Sequence, residues 1–285
     1  MDMFKFRISG LFIAALLLFS CSKSEGTEDG PNGGGTTVTY AVPKTADNNV
    51  VAHRGAYKEN GFPDNSMAAL RSAISLGCFA SECDIHITKD GKVVVFHDDT
   101  FKGLAFKDAT YAELCAAGTL SNGEKLPLFD EFIDAVLKAG TTILFVDVKS
   151  LDDQYGGNDY SILAGQAAST IVRNKLAKNF VKFIIGREPV LLKCIEAARG
   201  DWECGYMNGD TSASTFKSKG YTWANFDISY LYQKQDLIQT YKDLGIRIST
   251  YNADADIQMT WFLTQNMYAV CTNYPTKLLS LVRGK

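Results

Sequence analysis

Residues 81–97 read SECDIHITKDGKVVVFH, and this stretch decides the fold. Two β-rich runs lie on either side of Asp90-Gly91, a dipeptide that favours a two-residue hairpin turn. A connection this short cannot join parallel strands, which need a crossover of roughly a dozen residues or more. We therefore predict an antiparallel pair here, with Lys89 and Lys92 flanking the turn.

The same turn determines which side chains face one another. If the turn contains only two residues, Asp84 lies opposite His97 on the neighbouring strand. Side chains alternate along a strand, so Glu82 and Asp84 share one face and Cys83 points to the other. The pattern predicts two carboxylates and an imidazole on one surface.

Beyond this pair, β-rich runs alternate with amphipathic helical stretches from about residue 48 onward. The strand candidates are 50–53, 81–88, 92–97, 142–149, 182–186, 203–207, 223–229, 246–251 and 269–272. The helix candidates are 66–76, 129–138, 162–176, 189–198, 231–244 and 257–265. Such alternation predicts parallel strands joined by helical crossovers.

Nine strand candidates minus one hairpin arm leave the eight strands that a TIM barrel needs. We expect an α/β fold, a TIM (β/α)8 barrel with an additional β-hairpin arm after the second strand. The alternative is an open doubly wound sheet. It is disfavoured because no glycine-rich phosphate loop follows the first strand candidate.

Composition and charge narrow the function classes. The chain has 285 residues, of which 46% are hydrophobic, so it can form one large core. Its net charge is −3, and no basic cluster lies outside the extreme N-terminus. Nucleic-acid-binding proteins usually carry a basic patch, so we expect no nucleic acid partner.

The first 46 residues have the pattern of a leader and a linker. A positively charged start precedes an apolar run over 8–19 that is too short to span a bilayer. Residues 18–21, LFSC, resemble the lipobox of bacterial lipoproteins, whose cysteine is lipidated after cleavage. We expect a signal peptide over 1–20, a lipidated Cys21 anchoring an extracytoplasmic protein to a membrane, and a flexible linker over 21–46. Plain secretion is the alternative.

The domain over 47–285 contains the remaining six cysteines. Export would permit disulfides, but a domain of this size does not need them, and no CxxC pair suggests zinc. We expect structural cysteines, which leaves one or two disulfides open.

Three carboxylates in strand-like runs are candidate metal ligands. Glu82 and Asp84 lie two residues apart in an apolar run, and Asp147 lies in another such run with Lys149. Buried carboxylates need partners, and hard cations such as Ca²⁺ or Mg²⁺ prefer oxygen ligands. Simple salt bridges at strand ends are the alternative. Lys149 would neutralise excess charge or contact a phosphate oxygen.

Histidines occur at the ends of two strand candidates. His53 and Arg54 end the first, where a barrel places its reactive groups, and His97 ends the hairpin arm. The Arg54 guanidinium can bind a pair of phosphate oxygens. Imidazoles, a guanidinium and acids together suit cleavage of a phosphate ester with a divalent cation. The third histidine, His86, is interpreted as substrate-lining or structural.

These residues together resemble the glycerophosphodiester phosphodiesterase family. The resemblance extends from about residue 50 to residue 275. It rests on His53-Arg54-Gly55, Pro63-Asp64-Asn65-Ser66, Glu82-Cys83-Asp84-Ile85, Thr88-Lys89-Asp90-Gly91, His97-Asp98, Leu126-Pro127, Asp147-Val148-Lys149 and Thr272-Asn273-Tyr274-Pro275. It implies a divalent cation and hydrolysis of glycerophosphodiesters to sn-glycerol 3-phosphate and an alcohol.

By position, the resemblance also implies roles for individual residues. These are a general acid/base pair (His53 and His97), a phosphate-binding arginine (Arg54) with Lys149 alongside, and metal ligands (Glu82, Asp84 and Asp147). The sequence departs from the family pattern at four positions. Aspartate replaces glutamate at Asp64 and Asp147, Ser249 replaces tryptophan, and Asn273 replaces aspartate.

Two other functions stay open at this point. One is a related phosphodiesterase or phospholipase that acts on another headgroup. The other is a lipoprotein that binds such headgroups without turnover, although the presence of both His53 and His97 argues against lost catalysis.

Overall fold

The computed structural model describes residues 39–207 and 211–284. Eight parallel strands form the central sheet, and one antiparallel strand is added to it. The parallel strands are β1 (Val50–Ala52), β2 (Ala80–Ile87), β6 (Ile143–Val148), β7 (Val181–Ile185), β8 (Cys204–Met207), β9 (Trp223–Asp227), β10 (Arg247–Tyr251) and β11 (Ala269–Thr272). The remaining strands are β3 (Val93–Val95), β4 (Thr100–Phe101) and β5 (Leu104–Ala105).

The sheet closes on itself through its first strand. β1 pairs with β11 on one side and with β2 on the other, in parallel in both cases. A sheet whose first strand has two parallel neighbours of this kind has no free edge in the ring. The predicted TIM barrel is therefore confirmed, and the open doubly wound sheet is excluded.

The arm β3 pairs antiparallel with β2 outside the ring, as predicted, but its register differs by one residue. His86 lies opposite Val94, and the backbone carbonyl of Asp84 accepts a hydrogen bond from the Phe96 N–H at 3.0 Å. The prediction that Asp84 lies opposite His97 is therefore wrong. The cause is the turn, where Thr88 pairs with Lys92 around three residues rather than two. Gly91 adopts the left-handed conformation, φ 78°, that such a turn requires.

Helices surround the barrel. They are α1 (Met67–Leu76), α2 (Tyr111–Ala117), α3 (Phe129–Ala139), α4 (Gly157–Asn174), α5 (Glu188–Ala198), α6 (Ala213–Ser218), α7 (Ile228–Gln233), α8 (Asp236–Asp243), α9 (Asp256–Thr264) and α10 (Pro275–Arg283). Short 3₁₀ turns occur at Lys58–Asn60, Asp153–Tyr155 and Lys178–Phe180. The candidate over 231–244 forms two helices rather than one, and α2, α6 and α10 were not predicted.

The alternation of side chains divides the core into two layers. Outward residues of the barrel strands, such as Cys83 and Val146, pack against the helices. Inward residues, such as Val51, Phe145 and Trp223, fill the barrel interior. Cys83 thus points away from its neighbours Glu82 and Asp84, as the alternation predicted.

The segment between β3 and α3 forms a small cap with its own apolar cluster. Phe101 and Phe106, from the β4–β5 hairpin and the loop after it, pack with Val94 and with Leu114 of α2. The Val95 N–H donates to the Pro127 carbonyl at 2.9 Å, which joins the end of this segment to the arm. The cap therefore covers the side of β3 that carries Val94.

Several expectations concern residues near or before the first strand. The predicted signal peptide, Cys21 and most of the linker lie outside the described residues. Residues 39–46 have no helix or strand, and the Lys44 N–H donates to the Gly140 carbonyl at 2.7 Å.

No helix in the described part of the chain is long and apolar enough to span a membrane. All six cysteines there are free thiols, so no disulfide forms among them.

Candidate active site

Two neighbouring strands supply the three candidate metal ligands. Glu82 and Asp84 point inward from β2, and the parallel register places Asp147 of β6 beside Asp84. One ligand oxygen from each carboxylate lies within 4.8 Å of the other two. Glu82 and Asp84 are 6% and 2% exposed, and Asp147 is half-buried. The structure thus brings together the three acids that the alternation pattern selected.

Two cations lie against this acidic cluster. Lys149 Nζ is 3.2 Å from Asp84 Oδ1 and 3.5 Å from Asp147 Oδ2. Arg54 Nε is 3.4 Å from Asp84 Oδ2, and Arg54 Nη1 donates to Asp64 Oδ2 at 2.9 Å. Two cations therefore partly neutralise the cluster, and the shorter aspartate at position 64 still reaches the guanidinium.

Asn65 holds Asp84 in place, a contact that the sequence analysis did not identify. Its Nδ2 donates to Asp84 Oδ2 at 2.7 Å, and its Oδ1 accepts the Asp84 backbone N–H at 3.1 Å. Asn65 is 1% exposed and adopts the left-handed conformation, φ 55°, which asparagine tolerates well. Asn65 thus fixes both the side chain and the backbone of Asp84.

The protonation of the acids follows from burial and mutual repulsion. Burial raises the pKa of Glu82 well above its ordinary value, and the charges of Asp84 and Asp147 raise it further. Burial also raises the pKa of Asp147 to about 7, with Asp84 adding to the rise and Lys149 opposing it. For Asp84 burial acts in the same direction, but Lys149 and Arg54 bring its pKa below the ordinary value. The cluster therefore favours additional positive charge.

The donor set fits a hard divalent cation. Asp147 Oδ1 is buried and has no hydrogen-bond partner among the described residues, which an ion at the cluster would provide. Three carboxylates offer oxygen only, and such donors suit Ca²⁺ or Mg²⁺ better than zinc. Glu82, Asp84 and Asp147 are thus the residues that would hold a metal here.

His53 follows β1 in a tightly folded loop. Arg54 adopts φ 51° and Gly55 φ 82°, and a Cβ at Gly55 would lie 2.6 Å from the Ala69 carbonyl carbon. Only glycine permits this close approach to α1. The Arg54 N–H then donates to Glu82 Oε2 at 2.8 Å, which ties the loop to the acids.

The two ring nitrogens of His53 have different neighbours. Nδ1 lies 2.8 Å from Asn273 Oδ1, and Nε2 lies 3.9 Å from Glu82 Oε2. Burial lowers the pKa of His53 below its ordinary value, although the hydrogen bond to Asn273 opposes that change. A neutral ring is therefore favoured, and the contact with Glu82 is not an ion pair.

His97 also lines this cavity, although the predicted register was wrong. β3 ends at Val95, so strand alternation does not determine the direction of the His97 side chain. Its Nδ1 donates to Asp98 Oδ1 at 2.8 Å, and its side chain is 35% exposed. Both predicted acid/base histidines are thus at one site.

His86 lies beneath the cap instead. It is 1% exposed, and its ring stacks on Phe106 at 4.6 Å between ring centroids. Nε2 lies 3.4 Å from the His97 carbonyl, while Nδ1 is buried without a partner among the described residues. Burial lowers the pKa of His86 to about 4. This environment favours the structural interpretation of His86 over the substrate-binding one.

The cavity of about 300 Å³ connects these groups with the barrel interior. Beside the predicted residues, several polar residues of β9, β10 and the loop after β10 line it, namely Asn225, Ser249, Tyr251 and Asn252. Ser249 accepts a hydrogen bond from Trp223 Nε1 and donates to Asn225 Oδ1, both at 2.7 Å. The position where the family pattern has tryptophan thus carries a small residue in a polar chain.

Comparison with known proteins agrees with this geometry. Residues 53–183 match the model of the glycerophosphoryl diester phosphodiesterase family. A glycerophosphodiester phosphodiesterase of Caldanaerobacter subterraneus is 23% identical over 82% of this chain and 97% of its own length. A lysophospholipase D of Rattus norvegicus is 31% identical over 43% of this chain and 46% of its own length. The chain spans about half the length of several curated relatives that it matches.

Solved structures share the fold over most of the chain. A glycerophosphodiester phosphodiesterase from Parabacteroides distasonis has a TM-score of 0.76 and 26% identity, covering 85% of this chain and 98% of that one. A phosphodiesterase from Oleispira antarctica, solved in complex with the product sn-glycerol-3-phosphate, has a TM-score of 0.67 and 20% identity, covering 83% and 97%. The latter likeness shows the fold alone. With its acidic cluster, its histidines and these relatives, the chain belongs to the glycerophosphodiester phosphodiesterase family.

Proposed function

We propose that this protein hydrolyses glycerophosphodiesters to sn-glycerol 3-phosphate and an alcohol, with a divalent cation bound. The observation that carries the proposal is the convergence of three carboxylates, Arg54 and two histidines on one cavity. The named activity of full-length relatives supports the substrate class.

The proposed mechanism divides proton transfer between His53 and His97. One imidazole removes the proton from the attacking hydroxyl. If this hydroxyl belongs to water, sn-glycerol 3-phosphate forms directly; if it belongs to the glycerol, a cyclic phosphate forms first and water then opens it. The other imidazole donates a proton to the alkoxide that leaves phosphorus. The Arg54 guanidinium binds phosphoryl oxygens and stabilises their developing charge.

Glu82, Asp84 and Asp147 would hold Ca²⁺ or Mg²⁺, which when bound supplies Lewis-acid stabilisation of the phosphoryl oxygens. The protein contributes the arrangement of the three acids, and Asn65 and Lys149 keep Asp84 ionised and oriented. The partly exposed His97 and the half-buried Arg54 leave the reacting phosphate accessible from solvent.

A second candidate substrate is a lysophospholipid, cleaved at the headgroup side of phosphorus. The partial match to a lysophospholipase D supports it. The small Ser249 and the apolar residues lower in the cavity, Val51 and Phe145, also leave the headgroup preference open. The third candidate function is headgroup binding without turnover. It predicts that the protein binds the substrates and releases no product.

An assay on a panel of substrates tests these proposals. We expect purified protein to release sn-glycerol 3-phosphate from glycerophosphocholine or glycerophosphoethanolamine with Mg²⁺ or Ca²⁺, and to lose turnover in a chelator. Asp147→Asn should lose at least about 10-fold in turnover. Asp134→Asn is the matched control. It changes an exposed acid of α3 that pairs with Lys175.

The panel also separates the alternatives. Preferential cleavage of lysophosphatidylcholine would identify the second candidate. Binding of every substrate without phosphate-ester cleavage, with or without metal, would exclude both enzymes.

We also propose that the mature protein is an extracytoplasmic lipoprotein anchored through Cys21. The apolar run over 8–19 and the LFSC stretch at its end, which contains Cys21, support this location. Metabolic labelling with an alkynyl fatty acid should mark the wild type and not Cys21→Ser. Equal labelling of both, or of neither, would contradict the anchor.

A further inference from the structure

Asp254 lies behind the site, in the loop after β10, and its hydrogen bonds within the described residues do not reach the acidic cluster. Within the described residues it accepts three hydrogen bonds, which come from Thr272 at the end of β11 and from Asn273 directly after that strand. Thr272 Oγ1 and the Asn273 backbone N–H donate to Asp254 Oδ1 at 3.1 and 2.9 Å, and Asn273 Nδ2 donates to Asp254 Oδ2 at 2.7 Å. The carboxylate thus accepts hydrogen bonds from both the backbone and the side chain of Asn273.

This contact determines which way the Asn273 amide faces. A carboxylate can only accept hydrogen bonds, so the amide NH₂ group must point toward Asp254. The reversed amide would bring its oxygen to 2.7 Å from a carboxylate oxygen, which is repulsive. Asn273 Oδ1 therefore faces the opposite way, where Tyr57 Oη donates to it at 3.0 Å.

The orientation of the amide in turn determines the proton position on His53. Asn273 Oδ1 lies 2.8 Å from His53 Nδ1 and can only accept a hydrogen bond. In the neutral ring, Nδ1 therefore carries the hydrogen and Nε2 carries the lone pair. Nε2 is the ring nitrogen that lies on the side of Glu82 and the cavity.

We propose that Asp254 is a positioning residue that, through Asn273, holds His53 in the Nδ1–H tautomer with the Nε2 lone pair directed at the substrate. The catalytic part of this inference rests on the proposed function. In that reaction His53 begins as the proton acceptor, and Nε2–H is formed when the attacking hydroxyl loses its proton. The chain thus replaces a single carboxylate beside the histidine with an amide backed by a carboxylate.

The tautomer can be measured directly, without substrate. Two-bond ¹H–¹⁵N correlation spectra distinguish a protonated ring nitrogen from a free one, and the chain has three histidines to assign. We expect neutral His53 to show protonated Nδ1 in the wild type and a mixture of both tautomers in Asp254→Ala. Asp256→Asn, at an exposed acid two residues later that pairs with Lys277, should match the wild type.

A double variant separates positioning from a merely structural role. In Asp254→Ala/Asn273→Asp, the new carboxylate at position 273 accepts from His53 Nδ1 directly, with no second acid behind it. We expect this variant to restore the Nδ1–H tautomer. It should also recover most of the turnover that Asp254→Ala loses, which we expect to be about 10-fold or more in kcat with little change in KM.

Three results would overturn the proposal. These are an Nε2–H tautomer in the wild type, an unchanged tautomer in folded Asp254→Ala, or a double variant that does not recover the tautomer. If Asp254→Ala does not fold, the wild-type spectrum and the double variant still decide. The spectra need no turnover, so an inactive wild type contradicts the proposed function and leaves the tautomer test in force.

Discussion

Three histidines in one chain have three different environments, and each environment implies a different effect of substitution. His53 is hydrogen-bonded at Nδ1 and open at Nε2, and His97 is partly exposed in the same cavity. Both of these side chains line the cavity. His86 is enclosed under the cap and stacks on Phe106.

We predict that His53→Ala and His97→Ala each reduce kcat by roughly 10²-fold or more, because each removes a general acid or base. Both variants should unfold at nearly the wild-type temperature. His86→Ala should have a milder effect on kcat and a larger one on stability. The assignment is wrong if His86→Ala abolishes kcat at saturating metal while either of the others stays near the wild type.

The buried His86 also predicts a pH dependence of stability. Burial lowers its pKa to about 4, and a protonated Nδ1 would find no acceptor among the described residues, whereas the unfolded chain takes up the proton near pH 6.5. Between these values the unfolded state binds more protons, so stability falls as pH falls from about 6.5 to about 4, by up to roughly 3 kcal/mol.

The measurement is urea unfolding across this pH range for the wild type and His86→Gln, which cannot take a proton. The difference between their free energies of unfolding should shrink or reverse toward pH 4. A constant difference across the range would show that His86 does not titrate as the structure implies.

Asn65 offers a test of how the cluster is held. Asn65→Gly removes both hydrogen bonds to Asp84 but keeps the left-handed backbone accessible. We expect affinity for Mg²⁺ or Ca²⁺, measured by titration calorimetry, to fall about 10-fold or more. Asn60→Gly removes two hydrogen bonds in the same loop away from the acids, and should leave the affinity unchanged. Equal losses in both variants would contradict the role of Asn65.

At the scale of elements, the turn of the hairpin arm depends on one backbone conformation. Gly91 has φ 78°, and a Cβ there would contact nothing within 4 Å. Gly91→Ala should therefore destabilise the fold through backbone strain alone, by about 1–2 kcal/mol. Gly91→Asn should cost less, because asparagine tolerates this conformation. Urea midpoints test the order, and an alanine variant as stable as the wild type would contradict it.

Most strands and long helices could be predicted from the sequence, because apolar periodicity reports burial on one or both faces. The register of the arm could not, since Asp-Gly is compatible with two- and three-residue turns and the choice depends on Thr88 pairing with Lys92. The short elements of the cap, β4, β5 and α2, were also missed. Their stability comes from an apolar cluster contributed by distant residues, which leaves little local periodicity.

The candidate site could likewise be predicted from the sequence only in part. Glu82, Asp84 and Asp147 could be found because acids in apolar strands stand out. The contacts of Asn65 and Asp254 could not be predicted, because a polar residue in a loop has the pattern of an ordinary turn residue until its partner is known.

At the scale of the whole molecule, a cation held by the acidic cluster would couple its binding to stability. A ligand that binds only the folded state stabilises it by about 2.7 kcal/mol at a hundred times its Kd. We expect Mg²⁺ or Ca²⁺ to raise the unfolding temperature of the wild type, and Glu82→Gln to lose most of this shift. Glu196→Gln, at an exposed glutamate of α5 paired with Lys193, is the control. Equal shifts in both variants would place the cation elsewhere.

The closure of the barrel between β1 and β11 has a consequence for how the protein is made. His53 emerges early from the ribosome, but its hydrogen-bond partner Asn273 is 220 residues further along the chain. A nascent or truncated chain that ends before β11 carries all three acids and both candidate histidines, yet has nothing to orient His53. Under the proposed function, hydrolytic competence therefore arrives only once β11 has been made.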